Sequence, residues 1–209
     1  LARKFREELM NFENQGLWVK EGTEVIYFSG ADPDFSVKTK DGQEYRGKTV
    51  IIASGRIPKM LNIPGEKRLY SKGVTTCRAC DAPFYKDKDV AIVGGGNSAL
   101  DAAYTLDKVA RSIVIINITD ALRGDEVLLK KVNTSPKIKI LNNTEALEIL
   151  GDQAVGGIKI KDGKSGREQV LPVSGVFIEI GWTPSTSFDK LTDKNDNDEI
   201  EVDEYGATS

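Results

Sequence analysis

Residues 1–53 change from a helical to a strand-like hydrophobic pattern. Apolar side chains recur at helical spacing over residues 1–15, so we expect one helix that ends at Gly16. Short alternating or apolar runs then predict β-strands at 17–20, 23–28, 35–39, around Tyr45 and at 49–53. The run Val50-Ile51-Ile52-Ala53 is apolar on both faces, which is typical of a strand buried at the centre of a sheet.

A β-α-β pattern begins at residue 89. An apolar strand at 89–93 is followed by three glycines, a helix at 98–109 and a second apolar strand at 112–117. The pattern continues with a helix at 125–132 and with strands at 138–141, 146–150, 155–160, 168–171 and 176–180. We therefore expect an α/β fold, with a Rossmann-like domain built on a β-α-β unit and additional β-strands.

The composition indicates a globular chain with little attraction for polyanions. Its 209 residues suit one large domain or two modest ones. With 29 basic and 32 acidic residues, the net charge of −3 offers no basic excess for phosphates. No apolar run approaches the roughly 18 residues of a membrane helix. We expect a cytoplasmic protein that binds neither nucleic acid nor a membrane. The acidic stretch 189–204 is expected to be a solvated hairpin.

The sequence contains no histidine and only two cysteines, Cys77 and Cys80. The lack of histidine excludes a Ser-His-Asp triad, a Cys-His dyad and any His metal ligand. Two cysteines alone do not complete a four-ligand zinc site within one chain, so we expect no metal. Their C-x-x-C spacing leaves three interpretations open: a reversible redox disulfide, buried structural cysteines, or a metal site shared between chains. Asp81 follows directly, at a suitable position for proton exchange with a thiol.

A glycine-rich turn between a predicted strand and a predicted helix is the clearest local motif. It matches G-x-G-x-x-A, the pattern of a dinucleotide-binding turn. The first glycine allows the tight turn, the second lets the backbone approach a pyrophosphate, and the alanine keeps the helix close to the strand. The helix N-terminus then presents N–H groups to the phosphates. The candidate binding residues are Gly94, Gly95, Gly96, Asn97, Ser98 and Ala99.

The end of the second strand of the β-α-β unit should contact the adenosine ribose. An acid there favours NAD, whereas arginines accept the 2′-phosphate of NADP. Here Asn117 can bond a hydroxyl group but carries no charge, and Asp120 would repel a phosphate. Arg123 is the only nearby cation in this stretch. These residues favour NADH over NADPH.

Two stretches follow each other closely: T-C-R-A-C-D-A-P-F-Y at 76–85 and K-D-V-A-I-V-G-G-G-N-S-A at 88–99. In this order they resemble low-molecular-weight thioredoxin reductases and the flavoprotein subunit of alkyl hydroperoxide reductase. Three further stretches are similar to family segments: V-I-I-A-S-G at 50–55, I-P-G-E at 63–66 and G-W-T-P-S-T at 181–186. The resemblance therefore extends over essentially the whole chain.

The resemblance implies an FAD-dependent NAD(P)H:disulfide reductase. In this family electrons pass from a nicotinamide to FAD, then to the C-x-x-C disulfide and finally to a protein disulfide. By position, Cys80 corresponds to the cysteine that contacts the flavin, Cys77 to the one that attacks the partner, and Asp81 to the acid that donates a proton. The implied partner is a thioredoxin-like or peroxiredoxin-type disulfide protein, and the implied assembly is a homodimer.

The resemblance also implies a division into domains. We expect residues 1–60 and 181–209 to be pieces of an FAD domain and residues 61–180 to be the NAD(P)-binding domain. Ser54 and Gly55 are candidate flavin contacts. The family's two FAD motifs, an N-terminal G-x-G-x-x-G and a C-terminal G-x-F-A-A-G-D, do not occur in this sequence. We therefore expect a central fragment that does not hold FAD on its own.

One departure from the family leaves the electron donor open. NADPH-dependent members carry H-R-R-x-x-x-R where this chain has Asn117, Ile118, Thr119 and Arg123, so two of three arginines are missing. Some members use ferredoxin or another donor. Two alternatives to an NADH-dependent reductase thus remain: a member with another electron donor, and a nucleotide-binding fragment without flavin or activity of its own.

Overall fold

A computed structural model describes residues 2–209 and divides them into two compact units. The outer unit consists of the described residues up to Gly55 together with Pro184–Ser209, and the central unit is Arg56–Thr183. None of the helices in the described chain is long and apolar enough to cross a membrane.

The outer unit begins with a helix and continues with a small antiparallel sheet. Helix α1 spans Ala2–Met10, and strands β1 (Val25–Ala31), β2 (Asp34–Thr39) and β3 (Glu44–Gly47) form a three-stranded meander. Phe28 of β1 is buried, and its ring centroid lies 5.7 Å from that of Phe35 on β2. The sequence predicted the middle strand from its alternation over residues 35–39.

Three predictions for the outer unit are wrong. The helix expected at 1–15 ends at Met10, and a short 3₁₀ turn, Glu13–Gln15, follows; Leu1 lies outside the described residues. Residues 17–20 and 49–53 form no strand. Ile51, expected at the centre of a sheet, is 92% exposed. A strand needs a neighbouring strand for its backbone hydrogen bonds, and neither segment pairs with one among residues 2–209.

The acidic stretch 189–204 is only partly solvated. A single antiparallel bridge joins Lys194 to Ile200, as in a hairpin. Asp189, however, is 1% exposed and accepts hydrogen bonds from Leu191 N at 3.0 Å and from the Thr192 hydroxyl, with Lys194 Nζ 3.1 Å away. Burial opposes ionisation of Asp189, but these donors prevail and lower its pKa. Because these donors satisfy its hydrogen-bonding capacity, the Asp189 carboxylate is buried inside the turn and holds residues 191–194 around it.

The central unit is built on a parallel sheet. Its elements, in chain order, are β4 (Arg56–Pro58), α2 (Glu66–Leu69), β5 (Val74–Thr75), α3 (Arg78–Asp81), β6 (Asp89–Val93), α4 (Asn97–Asp107), β7 (Ser112–Ile116), α5 (Glu126–Thr134), β8 (Ile138–Leu141), β9 (Thr144–Gly151), β10 (Val155–Asp162), β11 (Glu168–Leu171), β12 (Gly175–Ile178) and β13 (Trp182–Pro184), the last ending at the unit boundary. Strands of the parallel sheet lie in the order β5-β12-β6-β7-β8. From residue 89 to 180 the predicted helices and strands are confirmed to within two residues at each end.

The parallel sheet is covered on both faces. Helices α4 and α5 pack on one face, where Ile92, Leu100, Leu106, Ile115 and Phe177 are buried in a single cluster. Strands β9, β10 and β11 form an antiparallel sheet that packs on the other face through a second buried cluster. Because both faces of the parallel sheet are covered by protein, its strands are nearly continuous apolar runs. The sequence pattern therefore predicted them well. The fold class is α/β with a Rossmann-like core, as expected.

Candidate functional site

A cavity of about 720 Å³ opens at the carboxyl ends of β12, β6 and β7. These three strands are neighbours, and the connection from β6 proceeds to β7 on one side while β12 flanks it on the other. Ligands of open parallel sheets bind at such a switch point, outside the carboxyl ends of the strands. The lining residues are Met60, Leu61, Ile63, Val93 to Ser98, Ile116 to Thr119, Arg123, Thr144 to Ala146 and Glu179 to Gly181.

Gly94 allows the chain to leave β6 in a tight turn at the floor of this cavity. Its φ of +139° is strained for any residue with a side chain. A Cβ on Gly94 would also collide with the backbone carbonyl oxygen of Glu179. The Gly94 N–H donates to Ile116 O at 3.0 Å, which ties the turn to the neighbouring strand β7. This first glycine is therefore required by the fold itself.

Gly95 is required because another side chain occupies the space beside it. A Cβ at Gly95 would collide with the carboxamide of Asn117, which is 2% exposed at the end of β7. The carbonyl oxygen of Gly95 accepts a hydrogen bond from Arg123 N at 2.8 Å. The turn after β6 and the loop after β7 are thus held against each other, and together they form one wall of the cavity.

The N-terminus of α4 points its first turn at the cavity. Gly96 is the N-cap, and none of the described side chains caps it. Ala99 is fully buried against the strand, so the helix lies close to β6 as its small side chain predicts. The Asn97 side chain turns away from the open helix end, because its Oδ1 accepts from Asp125 N at 2.8 Å. Free N–H groups and the positive end of the helix dipole remain available to an anion.

The side chain of Asn117 is hydrogen-bonded mainly within the protein. Its Nδ2 donates to Asn142 Oδ1 at 2.9 Å and to Thr119 O at 3.2 Å. Its Oδ1 accepts from the Thr119 N–H at 3.3 Å, and the one hydroxyl proton of Thr119 is within reach of both this oxygen, at 3.0 Å, and the Ala121 carbonyl oxygen, at 2.9 Å. Both N–H donors of the amide are therefore used within the protein. The residue that the sequence placed at the ribose thus shapes the loop around Thr119.

The side chains at the end of the cavity beside β7 are exposed. Ile118 is 71% exposed and Arg123 lines the same end of the cavity. The guanidinium group of Arg123 lies 3.9 Å from Asp120 Oδ1, with both side chains near 80% exposed. An exposed ion pair of this kind is weak, yet Asp120 offsets part of the positive potential that a 2′-phosphate would need.

Glu179 stands at the opposite end of the cavity, immediately after β12. It is 4% exposed, and its Oε1 has no hydrogen-bond partner in the part of the chain that the structure describes. Burial raises the pKa of Glu179 to about 7, against the attraction of Arg78, while the negative charge of Asp101 adds to the rise. The sequence analysis missed this residue, although a carboxylate inside the apolar run 176–180 was the available signal.

A second buried carboxylate, that of Glu66, supports the cavity wall. Glu66 is 1% exposed, and its two oxygens accept the backbone N–H groups of Leu61 at 2.7 Å and Asn62 at 2.6 Å. Charge-assisted hydrogen bonds of this length are strong. They fix the segment from which Met60, Leu61 and Ile63 enter the cavity lining.

Cys77 and Cys80 form a disulfide in the same unit. Their Cα atoms are 5.4 Å apart, within the 5–6 Å range usual for such a bond. Cys77 is the N-cap of the short helix α3 and its N–H donates to Thr75 Oγ1 at 3.0 Å. Cys80 is exposed, and Asp81 is half-buried beside it. Arg78, between the cysteines, pairs with Asp101 of α4 at 3.2 Å and links the disulfide helix to the helix of the glycine-rich turn.

A family model described as "Pyridine nucleotide-disulphide oxidoreductase" matches residues 2–209. The chain belongs to this family. The resemblance based on the motifs at 76–99 is therefore confirmed. A pyridine nucleotide-disulphide oxidoreductase is expected to combine a dinucleotide-binding turn with a cysteine pair, and the central unit contains both features.

Individual members of the family are similar over most of this chain. NADH dehydrogenase of Bacillus subtilis is 37% identical over 176 residues, which cover 84% of this chain and 35% of that protein. An alkyl hydroperoxide reductase component of Xanthomonas campestris pv. phaseoli is 35% identical over 209 residues, covering 99% of this chain and 38% of that protein. The crystal structure of Lactococcus lactis thioredoxin reductase in its FR conformation superposes with a TM-score of 0.77 at 28% identity, covering 89% of this chain and 62% of that one. This chain therefore spans little more than a third of the length of the curated relatives it matches.

The remaining predicted site residues of this pyridine nucleotide-disulphide oxidoreductase lie in the outer unit. Ser54 and Gly55 are both exposed. Gly55 has a φ of +64°, and its carbonyl oxygen accepts from Ser185 N at 2.9 Å. Their expected contact with a flavin stays a prediction. Within residues 2–209, no group of three or more Cys, Asp or Glu side chains could hold a metal ion.

Proposed function

We propose that this chain is the nucleotide-binding part of an FAD-dependent NAD(P)H:disulfide reductase. The observation that carries the proposal is the pairing, within one unit, of a cavity at the carboxyl ends of β12, β6 and β7 with the Cys77–Cys80 disulfide. The residues of the cavity fit a dinucleotide. An added Cβ at Gly96 would meet no atom within 4 Å, the first turn of α4 is open, and Glu179 at the far end has an oxygen without a partner among the described residues.

The cavity has one end for each half of the nucleotide. The pyrophosphate is assigned to the N–H groups that follow Gly96 at the start of α4. The adenosine ribose is assigned to the end of β7, beside Ile118 and Arg123. The nicotinamide then extends past β6 toward the end of β12 and Glu179. When bound, the nicotinamide supplies a hydride, and the residues named here bind and orient it.

The cysteine pair is proposed to relay two electrons to a partner protein. Reduction of the Cys77–Cys80 disulfide breaks the S–S bond and yields two thiols, with the uptake of two electrons and two protons. The Cys77 thiol passes its proton to the Asp81 carboxylate, and the Cys77 thiolate attacks a partner disulfide. Asp81 returns the proton to the partner thiolate that is released. Cys80 then attacks the mixed disulfide at the Cys77 sulfur, re-forms the Cys77–Cys80 bond and gives its proton to the second partner thiolate.

Three further proposals concern features outside the cavity: FAD binding, the partner protein and the oligomeric state. We propose that FAD binds the complete protein, with Ser54 and Gly55 among its contacts, and that this chain alone does not retain it. An alkyl hydroperoxide reductase component and a thioredoxin reductase are both similar to this chain. A thioredoxin-like or peroxiredoxin-type disulfide protein is therefore the proposed partner, and a cytoplasmic homodimer the proposed form.

We propose NADH rather than NADPH as the nucleotide. A 2′-phosphate requires cations, and each charge-assisted hydrogen bond to it is worth about 1.5–3 kcal/mol. The side chain of Ile118 offers no donor, and Asp120 lies within 3.9 Å of the guanidinium group of Arg123. Since both N–H donors of the Asn117 amide are used by Asn142 and Thr119, we assign the free ribose hydroxyls mainly to backbone groups of the loop after β7.

Calorimetric titration with NADH and NADPH at one ionic strength tests this proposal. We expect tighter binding of NADH. The change Ile118→Arg adds a cation at an exposed position without touching the hydrogen bonds of Asn117 and should improve NADPH binding about tenfold. Val127→Arg, at an exposed position of α5 outside the cavity, is the matched control and should leave the NADH-to-NADPH ratio unchanged.

Each outcome of the titration decides one point. Tighter binding of NADPH by the unaltered chain contradicts the assigned preference. Binding of neither nucleotide contradicts the nucleotide site and favours a family member with another electron donor. An equal effect of Ile118→Arg and Val127→Arg would place the ribose elsewhere in the cavity.

A further inference from the structure

Glu179 lines the cavity and has a buried carboxylate, to which the proposed function gives no chemical role. It follows β12 directly, and its backbone N–H donates to Val93 O at 2.8 Å, beside the glycine-rich turn. The end of β7, where the ribose is assigned, lies on the other side of β6. Glu179 therefore lies at the end of the cavity assigned to the nicotinamide, and this inference rests on the proposed function.

The side chain of Glu179 is poorly compensated for a buried carboxylate. It is 4% exposed, and Oε1 has no partner among the described residues. Arg78 of α3 is the cation that acts on it, but the guanidinium group is shared with Asp101 of α4 at 3.2 Å. Glu145 and Arg123 also line the cavity and are exposed.

An uncompensated buried carboxylate creates a strong local preference for positive charge. Burying an ionised carboxylate is costly unless a cation or donors approach it. Attraction between opposite charges is also much stronger inside a protein than in water. The two redox forms of a nicotinamide differ in this respect, because the oxidised ring is a cation and the reduced ring is neutral. The ionised Glu179 thus stabilises one form and has little effect on the other.

We propose that Glu179 distinguishes oxidised from reduced nicotinamide by charge, so that its ionised carboxylate tightens binding of the oxidised nucleotide. It acts through its charge and does not exchange a proton with the reacting atoms. Stronger binding of the oxidised form favours hydride loss from the bound reduced form, since only a difference in affinity between two states shifts their equilibrium.

The proposal predicts a dependence on pH with a definite sign. Burial raises the pKa of Glu179 to about 7, so the carboxyl group is mostly neutral at pH 6 and mostly ionised at pH 8. Binding of NAD⁺ should therefore strengthen as the pH rises from 6 to 8, whereas binding of NADH should change little.

The experiment is calorimetric titration of the chain with NAD⁺ and with NADH at pH 6 and pH 8. We expect NAD⁺ affinity to rise about fivefold or more between these pH values, and Glu179→Gln to remove that rise while NADH affinity stays within about twofold. Glu168→Gln is the matched control, because Glu168 lies on β11 outside the cavity and pairs with Lys159.

The possible results separate this inference from the proposed function. If both nucleotides bind but the NAD⁺-to-NADH ratio is independent of pH in the unaltered chain, the charge role of Glu179 is overturned and the nucleotide site stands. The same conclusion follows if Glu179→Gln keeps the pH dependence. If neither nucleotide binds, the proposed function fails and this inference fails with it. The pH profile of the unaltered chain keeps the test decisive even where the variant does not fold.

Discussion

Replacing Gly96 by alanine should separate nucleotide binding from folding. Gly96 has φ −100° and ψ −171°, which alanine adopts without strain, and an added Cβ meets no atom within 4 Å. The lower entropy of the unfolded chain stabilises the variant by about 0.4–1 kcal/mol. The weaker N-cap preference of alanine costs a similar amount. The effects offset, and we expect the free energy of unfolding to change by less than about 0.5 kcal/mol.

The same methyl group should weaken nucleotide binding. It occupies the space at the start of α4 where the backbone must approach the pyrophosphate. Losing one charge-assisted hydrogen bond there costs about 1.5–3 kcal/mol, so the dissociation constant for NADH should rise at least about tenfold. Urea denaturation measures the stability and calorimetric titration measures the affinity.

Gly94→Ala is the matched comparison, with the opposite expectation for stability. Its φ of +139° and the collision of a Cβ with the carbonyl oxygen of Glu179 should lower the free energy of unfolding by more than about 2 kcal/mol. If Gly96→Ala binds NADH as tightly as the unaltered chain while its stability is unchanged, the pyrophosphate does not lie at the N-terminus of α4.

Two further predictions concern carboxylates that support the central unit. The hydrogen bonds of Asp89 with Arg111 and then Ser112 lower the pKa of Asp89 to about 2, so its stabilising effect is present above about pH 4 and lost as the pH falls through 2. Because Arg111 is exposed, solvent weakens the ion pair, and we expect Asp89→Asn to lower the free energy of unfolding by about 1–2 kcal/mol at pH 7 and by almost nothing at pH 2. Urea denaturation at both pH values measures this difference, and an equal loss at both would contradict the prediction. Glu66→Gln turns one acceptor of a backbone N–H group into a donor, which should lower the free energy of unfolding by about 1–3 kcal/mol. It should also weaken NADH binding, because the cavity wall at Leu61 is held less firmly. Unchanged stability would show that Glu66 does not hold this wall.

The sequence predicted the central unit well because its signals are local. In the β-α-β unit each strand is buried on both faces, so burial and apolar composition coincide from residue 89 to 116. The glycine-rich turn must follow such a strand, and Gly94 is required there by its own backbone angle. The disulfide joins residues three apart, so its geometry also depends on a short segment.

The outer unit was predicted less well because a strand depends on its neighbours. Residues 49–53 have the composition of a buried strand, yet Ile51 is 92% exposed, because no strand in the described chain pairs with this segment. The pattern of one segment records its preference for burial and says nothing about which partner is present. Residues 35–39, by contrast, were predicted correctly, because β1 and β3 flank them.

The two ends of the cavity show why a motif can locate a site but leave the roles within it undecided. Asn117 stands where the family pattern places a ribose contact, but both N–H donors of its amide are used by Thr119 and by Asn142, which lies 25 residues further along the chain. Whether an amide faces a ligand or the protein depends on such distant partners, and spacing cannot reveal them. Glu179 is the converse case, since it belongs to no motif. Its significance follows from three structural observations: it is buried, Arg78 also pairs with Asp101, and Oε1 has no hydrogen-bond partner among the described residues. Asn117, which the motif singled out, therefore shapes the loop after β7. Glu179, which belongs to no motif, is the better candidate to distinguish a positively charged ligand from a neutral one.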